Sequence, residues 1–283
     1  MLETNVIHCM DNVEGLRTRI PDNSIDLTVT SPPYDDLRDY NEYEWDFKSL
    51  AKQLYRVIKD GGIIVWVVGD KTVNGSETGS SFKQALYFKE IGFNLHDTMI
   101  YQKDSLTFPD FNRYYQVFEF MFVFSKRKPK TTNLIRDRNN KKKGCSLKGV
   151  TERNKNGSLT ESNGSRKGRK IKSKSIRFNV WKYGVGNNKT TKDKFAYNHP
   201  AMFPEQLAKD HILSWSNEGD IVLDPFMGSG TTAKMSELLN RKWIGFEISQ
   251  EYVNIAYKRV GKFDKSYYDE LPKEEKPKQT QLF

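Results

Sequence analysis

The stretch "GDIVLDPFMGSGTTAKMSELLNRKWIGFEIS", residues 219–249, decides the fold. A short apolar run, "IVL", stops at Asp224-Pro225. A glycine-spaced turn follows, then a helical pattern opening at Thr231 and Thr232, then a second apolar run ending at Glu247. Strand, turn, helix and strand in this order make one βαβ unit of a parallel sheet. Gly228 and Gly230 allow a tight turn and close backbone approach to a ligand. A glycine pair alone reads first as an ordinary strand-to-helix turn capped by hydroxyls. The acid changes that reading. Glu247 ends the next strand about 20 residues on, where a carboxylate takes the ribose hydroxyls of a nucleoside cofactor.

Working outward, residues 1–125 also alternate between strands and helices. "SIDLTVT" (24–30) reads as a strand, and "FKSLAKQLYRVIK" (47–59) has helical spacing closed by Gly61-Gly62 as a cap. "IIVWVVGD" is a buried strand, "SSFKQALYFKEIGF" a helix, "HDTMIYQK" a strand, and "YQVFEFMFVFSK" (115–126) an aromatic strand. After the basic middle, order returns at "RFNVWKYG" and at "HPAMFPEQLAKDHILSW", the latter a helix from near Pro204. The whole predicts an α/β fold with a mixed, mostly parallel sheet and helices on both faces. Ligands in such folds sit beyond the carboxyl ends of the strands.

At the end of the first of these strands stands "TSPPYDDLRDY", Thr30 to Tyr40. Two prolines cannot continue a ladder of backbone hydrogen bonds. The chain therefore leaves the sheet and carries Ser31, Pro32, Pro33 and Tyr34 on a stiff loop at a strand's carboxyl end. In an arbitrary sequence this is a proline-stabilised loop; beside a cofactor turn it presents fixed hydrogen-bond acceptors.

The charge is unevenly spread. Residues 126–194 hold 23 Lys and Arg against Asp137, Glu152, Glu161 and Asp193, so the remaining chain has 23 basic and 32 acidic residues. One basic insert turns an acidic core into a chain of net charge +10, the pattern of a polyanion-binding segment on a separate core. Lys141, Lys142, Lys143, Arg166, Lys167, Arg169, Lys170 and Arg177 are its candidate DNA contacts, more of them to phosphate than to base edges. A solvated insert is the bland alternative. Cys9 and Cys145 lack metal-ligand spacing and read as free thiols of a reducing cytoplasm. No apolar run approaches the roughly 18 residues that span a bilayer, no secretory signal is visible, and no set of residues points to a metal.

The two motifs together, "SPPY" early and "DPFMGSGTT" late, resemble the β-type amino-group DNA methyltransferases that use S-adenosylmethionine. "PDNSIDLTVTSPPY", "LYRVIKDGG", "FEFMFVFSK" and "HPAMFPEQLAKDHI" resemble that family's other blocks, and the likeness runs from about Asn5 to Tyr257 outside the basic segment. The resemblance implies a Rossmann-like methyltransferase fold with a catalytic half at 1–126, a basic target recognition region at 127–195, a cofactor-binding half at 196–261 and a charged tail at 262–283. It implies that Asp11, Thr30, His199, Asp224, Pro225, Phe226, Met227, Gly228, Ser229, Gly230, Thr231, Thr232 and Glu247 hold the cofactor. Where the family commonly has Lys before the proline of its late block, this chain has Phe203-Pro204.

The resemblance also implies a mechanism. An exocyclic base amine is a poor nucleophile because its lone pair is delocalised into the ring. The Ser31 hydroxyl and the Pro32 carbonyl would accept its hydrogens and favour a tetrahedral nitrogen, while Tyr34 would stack on the base swung out of the duplex. "SPPY" in this family usually accompanies cytosine N4 transfer and "DPPY" adenine N6 transfer, so N4 is expected, with N6 the alternative. Cytosine C5 chemistry needs a catalytic thiolate that neither cysteine is set to supply. Protein-glutamine and RNA methyltransferases of the "NPPY" type carry their two motifs in the opposite order. A non-catalytic DNA-binding protein on this fold would be expected to have lost one motif. Duplex DNA is the expected partner; a cognate restriction endonuclease, as in a restriction–modification system, and a homodimer are left open.

Overall fold

Side chains Ile63 to Val68 are all buried, a run that only a strand covered on both faces can carry. The computed structural model describes residues 2–33, 45–105, 112–147, 150–162, 168–186, 188–199 and 202–261. Tyr34, Arg166, Lys167 and the 262–283 tail lie outside the described residues. The chain divides into two units, Met1–Thr132 with Val180–Phe283, and Asn133–Asn179.

The larger unit begins with β1 (Val6–Cys9), α1 (Asn12–Arg19), β2 (Ile25–Thr30), α2 (Phe47–Val57) and β3 (Ile58–Val68). A small hairpin of β4 (Thr72–Val73) and β5 (Ser76–Glu77) precedes α3 (Ser80–Glu90), β6 (Asn94–Lys103) and β7 (Phe118–Ser125). The smaller unit holds β8 (Arg136–Asn139), β9 (Val150–Arg153), β10 (Leu159–Ser162) and β11 (Lys174–Ile176). The chain then returns through β12 (Val180–Tyr183), α4 (Glu205–Trp215), β13 (Ile221–Asp224), α5 (Thr231–Leu238), β14 (Lys242–Glu247) and α6 (Gln250–Gly261).

The main sheet has eight strands in the order β1-β14-β13-β2-β3-β7-β6-β12, and only β7 runs against its neighbours. Alternate residues sort the helices onto its faces. Ile64, Trp66 and Val68 of β3 pack with Leu50, Leu54 and Phe88 of α2 and α3. On the other face Met121 of β7 meets His211 of α4, Sδ to Nε2 at 3.2 Å, and Trp243 of β14 packs with Ala233 of α5 and Val253 of α6. The expected mixed, mostly parallel sheet is therefore present.

Two expectations need correcting. Gly61 and Gly62 do not cap α2, which ends at Val57 because Ile58 is already extended at φ −68° and ψ 132°. The pair forms an irregularity in β3, whose register against β2 jumps from Ile25↔Ile58 to Leu27↔Ile63. Gly61, at φ +84°, turns the backbone so that its N–H donates to the Lys126 carbonyl at 2.6 Å. The second correction concerns the boundary drawn at 195. β12 pairs with β6, so residues from Val180 onward belong to the sheet unit. Lysines at 182, 189, 192 and 194 hid this in the charge count. The signal was the alternation in "VWKY", which buries Trp181 and Tyr183 and exposes Val180 and Lys182. In the smaller unit β8 pairs with β11 and β9 with β10, both antiparallel. The Arg138 guanidinium lies 3.7 Å from the centroid of the Phe178 ring.

Among the described residues no helix is long and apolar enough to cross a membrane, and Cys9 and Cys145 are free, exposed thiols.

The last carbonyls of α2 are satisfied by a side chain. Lys126 Nζ donates to Tyr55 O and Ile58 O at 2.9 Å each and to Asn23 Oδ1 at 2.8 Å. Lys126→Met keeps the length of the stem and orphans these acceptors, at about 1–3 kcal/mol for buried groups left unpaired. Urea unfolding should therefore show a midpoint lowered accordingly with an unchanged slope; a wild-type midpoint would contradict this role.

Candidate active site

β2 connects through α2 to β3 on one side, and β13 connects through α5 to β14 on the other. The neighbouring pair β13 and β2 is thus where the strand order reverses direction, the place beyond whose carboxyl ends ligands bind in sheets of this kind. Thr30 ends β2 and Asp224 ends β13. Their side chains meet: Thr30 Oγ1 donates to Asp224 Oδ1 at 2.7 Å. One helical turn on, Thr232 Oγ1 donates to Val29 O at 3.1 Å. These contacts join the strand carrying Ser31 and Pro32 to the strand and helix flanking the glycine turn. Pro32 is buried and Ser31 and Pro33 are half-buried as the chain leaves β2.

The turn is fixed from several directions. The Phe226 N–H donates to Asp224 Oδ1 at 3.0 Å, the Met227 N–H to Phe246 O at 2.9 Å, and Gly228 N–H to Glu247 Oε2 at 2.8 Å. Gly228 and Gly230 hold left-handed conformations, φ +49° and +82°. A Cβ on Gly228 would lie 2.8 Å from His199 Nε2, and one on Gly230 would lie 2.7 Å from Ala256 Cβ. Only glycine fits either position. His199 is itself packed edge-on against Tyr252, ring centroids 4.4 Å apart. Phe226, half-buried, meets Trp45 at 5.0 Å between centroids.

Glu247 uses both carboxylate oxygens, Oε2 for the Gly228 N–H and Oε1 for the Ser249 N–H at 2.9 Å. Burial pushes its pKa up, and the backbone donors oppose that rise. Asp224 is more extreme. Burial pushes its carboxyl up to about 7, against the hydrogen bonds from Thr30 and the Phe226 N–H. Its carboxyl acts inside the protein, holding β2 and the turn together. Asp11 caps α1 by accepting from the Glu14 N–H at 2.9 Å. β1 runs beside β14 with Cys9 opposite Glu247, so Asp11 begins α1 near the end of β14.

Several contributors carry no motif. Asn12 Nδ2 donates to the Pro225 carbonyl at 3.1 Å. Ser229 and Thr231 face a buried group of charges made by Arg259, Lys234, Asp193 and Glu205. Nothing in "YVNIAYKRV" singles out Arg259.

The proposed DNA contacts lie in the smaller unit. Lys141 to Lys143 are exposed in the turn after β8, and Arg169 and Lys170 are exposed further along. Arg177 differs: its Nε donates to Asp137 Oδ2 at 2.6 Å, so its charge is paired within the unit.

The site fits S-adenosylmethionine on structural grounds. The His199 ring packs against Gly228 where no Cβ would fit, a carboxylate stands at the end of the neighbouring strand, and buried Asn12 Oδ1 has no partner among the described residues. Known proteins agree. The family model described as a DNA methylase, N6_N4_Mtase, matches residues 25–258. The orphan methyltransferase M.BamHII of Bacillus amyloliquefaciens is 60% identical over 249 residues, which cover 87% of this chain and 92% of that one. The structure of PvuII DNA methyltransferase (cytosine-N4-specific) superposes with a TM-score of 0.64 at 21% identity, over 95% of this chain and 91% of that one. The M1.HpyAVI–SAM complex superposes with a TM-score of 0.57 at 24% identity, over 89% and 98%.

The raised pKa of Asp224 has a definite sign. Its folded value of about 7 exceeds the ordinary 3.8, so its contribution to stability is fully present below that ordinary value and is lost as pH rises through about 7. Asp224→Asn removes the titration. The stability of the wild type relative to this variant should fall between about pH 4 and about pH 7, read from urea midpoints. Parallel curves for the two proteins would contradict the assignment.

Proposed function

The chain belongs to the N6_N4 DNA methylase family, and we propose that it moves a methyl group from S-adenosylmethionine to the N4 amine of cytosine in duplex DNA. The observation that carries the reading is the joining of the two motifs by Thr30–Asp224 and Thr232–Val29. This brings the acceptor loop and the cofactor turn to one edge of the sheet. "SPPY" at 31–34 is what favours cytosine over adenine; adenine N6 is the second reading within the same chemistry.

The cofactor supplies an electrophilic methyl on a positively charged sulfur. The protein's part is to bind, orient and accept hydrogen bonds. Glu247, with each oxygen already holding one N–H, has lone pairs left for the ribose hydroxyls, and Asp11 stands near for the adenine. The Gly228–Gly230 turn and His199 bound the space for the rest of the cofactor. Ser31 Oγ and the Pro32 carbonyl accept from the two amine hydrogens, drawing the nitrogen lone pair out of the ring as it attacks. The prolines keep these acceptors in place before charge develops, so little reorganisation accompanies the reaction. Tyr34 supplies a face for the extruded base.

The exposed lysines at 141–143 with Arg169 and Lys170 are the proposed phosphate contacts, giving affinity that falls with salt. The Bacillus relative is named an orphan methyltransferase, so a partner endonuclease gains no support.

Incubation with labelled S-adenosylmethionine and mixed-sequence duplex DNA, followed by nucleoside mass spectrometry, should yield N4-methylcytosine. N6-methyladenine would keep the chemistry and overturn the base. In the same assay Ser31→Ala with Tyr34→Ala should abolish transfer while cofactor affinity stays within a few-fold of wild type; retained transfer would remove the catalytic assignment.

A further inference from the structure

Arg259 is an unusual residue to bury. Its side chain is wholly inaccessible, and it sits in the last turn of α6, far in sequence from either motif. Nη1 gives all its contacts to the glycine turn and its helix: Ser229 O at 2.9 Å, Ser229 Oγ at 3.0 Å and Thr231 Oγ1 at 3.0 Å. Nη2 reaches Glu205 Oε1 at 2.6 Å and Thr191 Oγ1 at 3.4 Å, and Nε reaches Asp193 Oδ2 at 3.0 Å. Lys234, from the body of α5, touches the same two carboxylates at 2.8 and 2.9 Å, so two cations face two anions.

Burying Arg259, Lys234 and Glu205, with Asp193 half-buried beside them, costs much of what their attraction returns, and apolar residues of similar volume would stabilise a core about as well. What a guanidinium adds is direction, because its planar fork fixes several acceptors at once. Here one edge of the fork holds the Ser229 carbonyl and the first hydroxyl of α5. The other holds Glu205, at the start of α4, and Asp193, just before the segment that carries His199. Gly230 lets α6 lie close enough for this, since its absent Cβ would touch Ala256, one turn before Arg259. The turn is thereby clamped between Glu247, which takes the Gly228 N–H, and Arg259, which takes the Ser229 carbonyl.

We propose that Arg259 is a positioning residue for the cofactor: it sets the pose of the 228–231 turn relative to His199, and so sets cofactor affinity. The inference rests on the reading of that turn as the S-adenosylmethionine site. Burial alone would push Glu205 and Asp193 up, but Arg259 and Lys234 outweigh it and hold both below the ordinary carboxylate range. The clamp therefore stays charged until pH falls below that range.

The test is isothermal titration of the full chain with S-adenosylmethionine. Arg259→Lys keeps the charge and loses the fork; its dissociation constant should rise at least tenfold, and the KM for the cofactor with it, while kcat at saturating cofactor stays within a few-fold. Lys126→Met is the control, destabilised at a site remote from the turn, and should bind the cofactor as wild type does. Wild-type affinity in Arg259→Lys, or an equal loss in Lys126→Met, would overturn the proposal. Failure of the wild type itself to bind would instead remove the reading of the turn. Hydrogen exchange on the unmutated protein serves if Arg259→Lys does not fold. Cofactor should then protect residues 190–193 and 252–261 together with 226–231, and protection confined to 226–231 would overturn the clamp.

Discussion

The hydrogen bonds from Thr30 to Asp224 and from Thr232 to Val29 span 194 and 203 residues of sequence, and the site exists because of them. Each motif alone is an ordinary local structure, a proline loop after a strand and a glycine turn before a helix. In the proposed reading, methyl transfer needs the acceptors of one within a few tenths of an ångström of their proper distance from a cofactor at the other. Parallel pairing of β2 with β13 brings the two strand ends level, and the two hydroxyls fix them there. An ionised Asp224 would be strained in this setting. The protein tolerates a buried carboxyl because the Thr30 hydroxyl and the Phe226 N–H donate to it, and its raised pKa is the residue of that conflict.

The same economy of geometry governs the rest of the turn. Every handle on it comes from a different element: β14 supplies Phe246 O and Glu247, α1 supplies Asn12, and α6 supplies Arg259. A loop so held does not need to fold around its ligand, which lowers the entropic cost of binding. The conformations at Gly228 and Gly230 follow from this crowding, since His199 and Ala256 occupy the volume that side chains would need. The weakly charged, apolar interior of the sheet unit and the lysine-rich smaller unit divide the labour expected of the chain, chemistry in one and phosphate contact in the other.

Much of this was legible in the sequence. The order of strands and helices, the turn at 228–230 and the acid at 247 follow from periodicity, glycine spacing and strand length. What was not legible depends on long-range contact. Gly61-Gly62 looked like a helix cap because nothing local shows that Ile58 turns straight into β3 and that Lys126 closes the helix instead. Order was legible at "RFNVWKYG", which holds β12, but a boundary drawn by charge at 195 took it into the basic region because its pairing with β6 is a long-range contact. Arg259, Glu205, Asp193 and Lys234 are unremarkable singly; their meaning lies in converging on one point, which a linear reading does not display.

The central claim is that the contact between α5 and β2 aligns acceptor and donor for transfer. It is tested most directly by single-turnover methyl transfer in Thr232→Val at saturating S-adenosylmethionine and DNA. The account predicts a rate lowered by at least tenfold, about 1.4 kcal/mol in the barrier, with cofactor affinity within a few-fold of wild type. A wild-type rate in that variant would show that the two motifs keep their alignment without this bond, and would contradict the account.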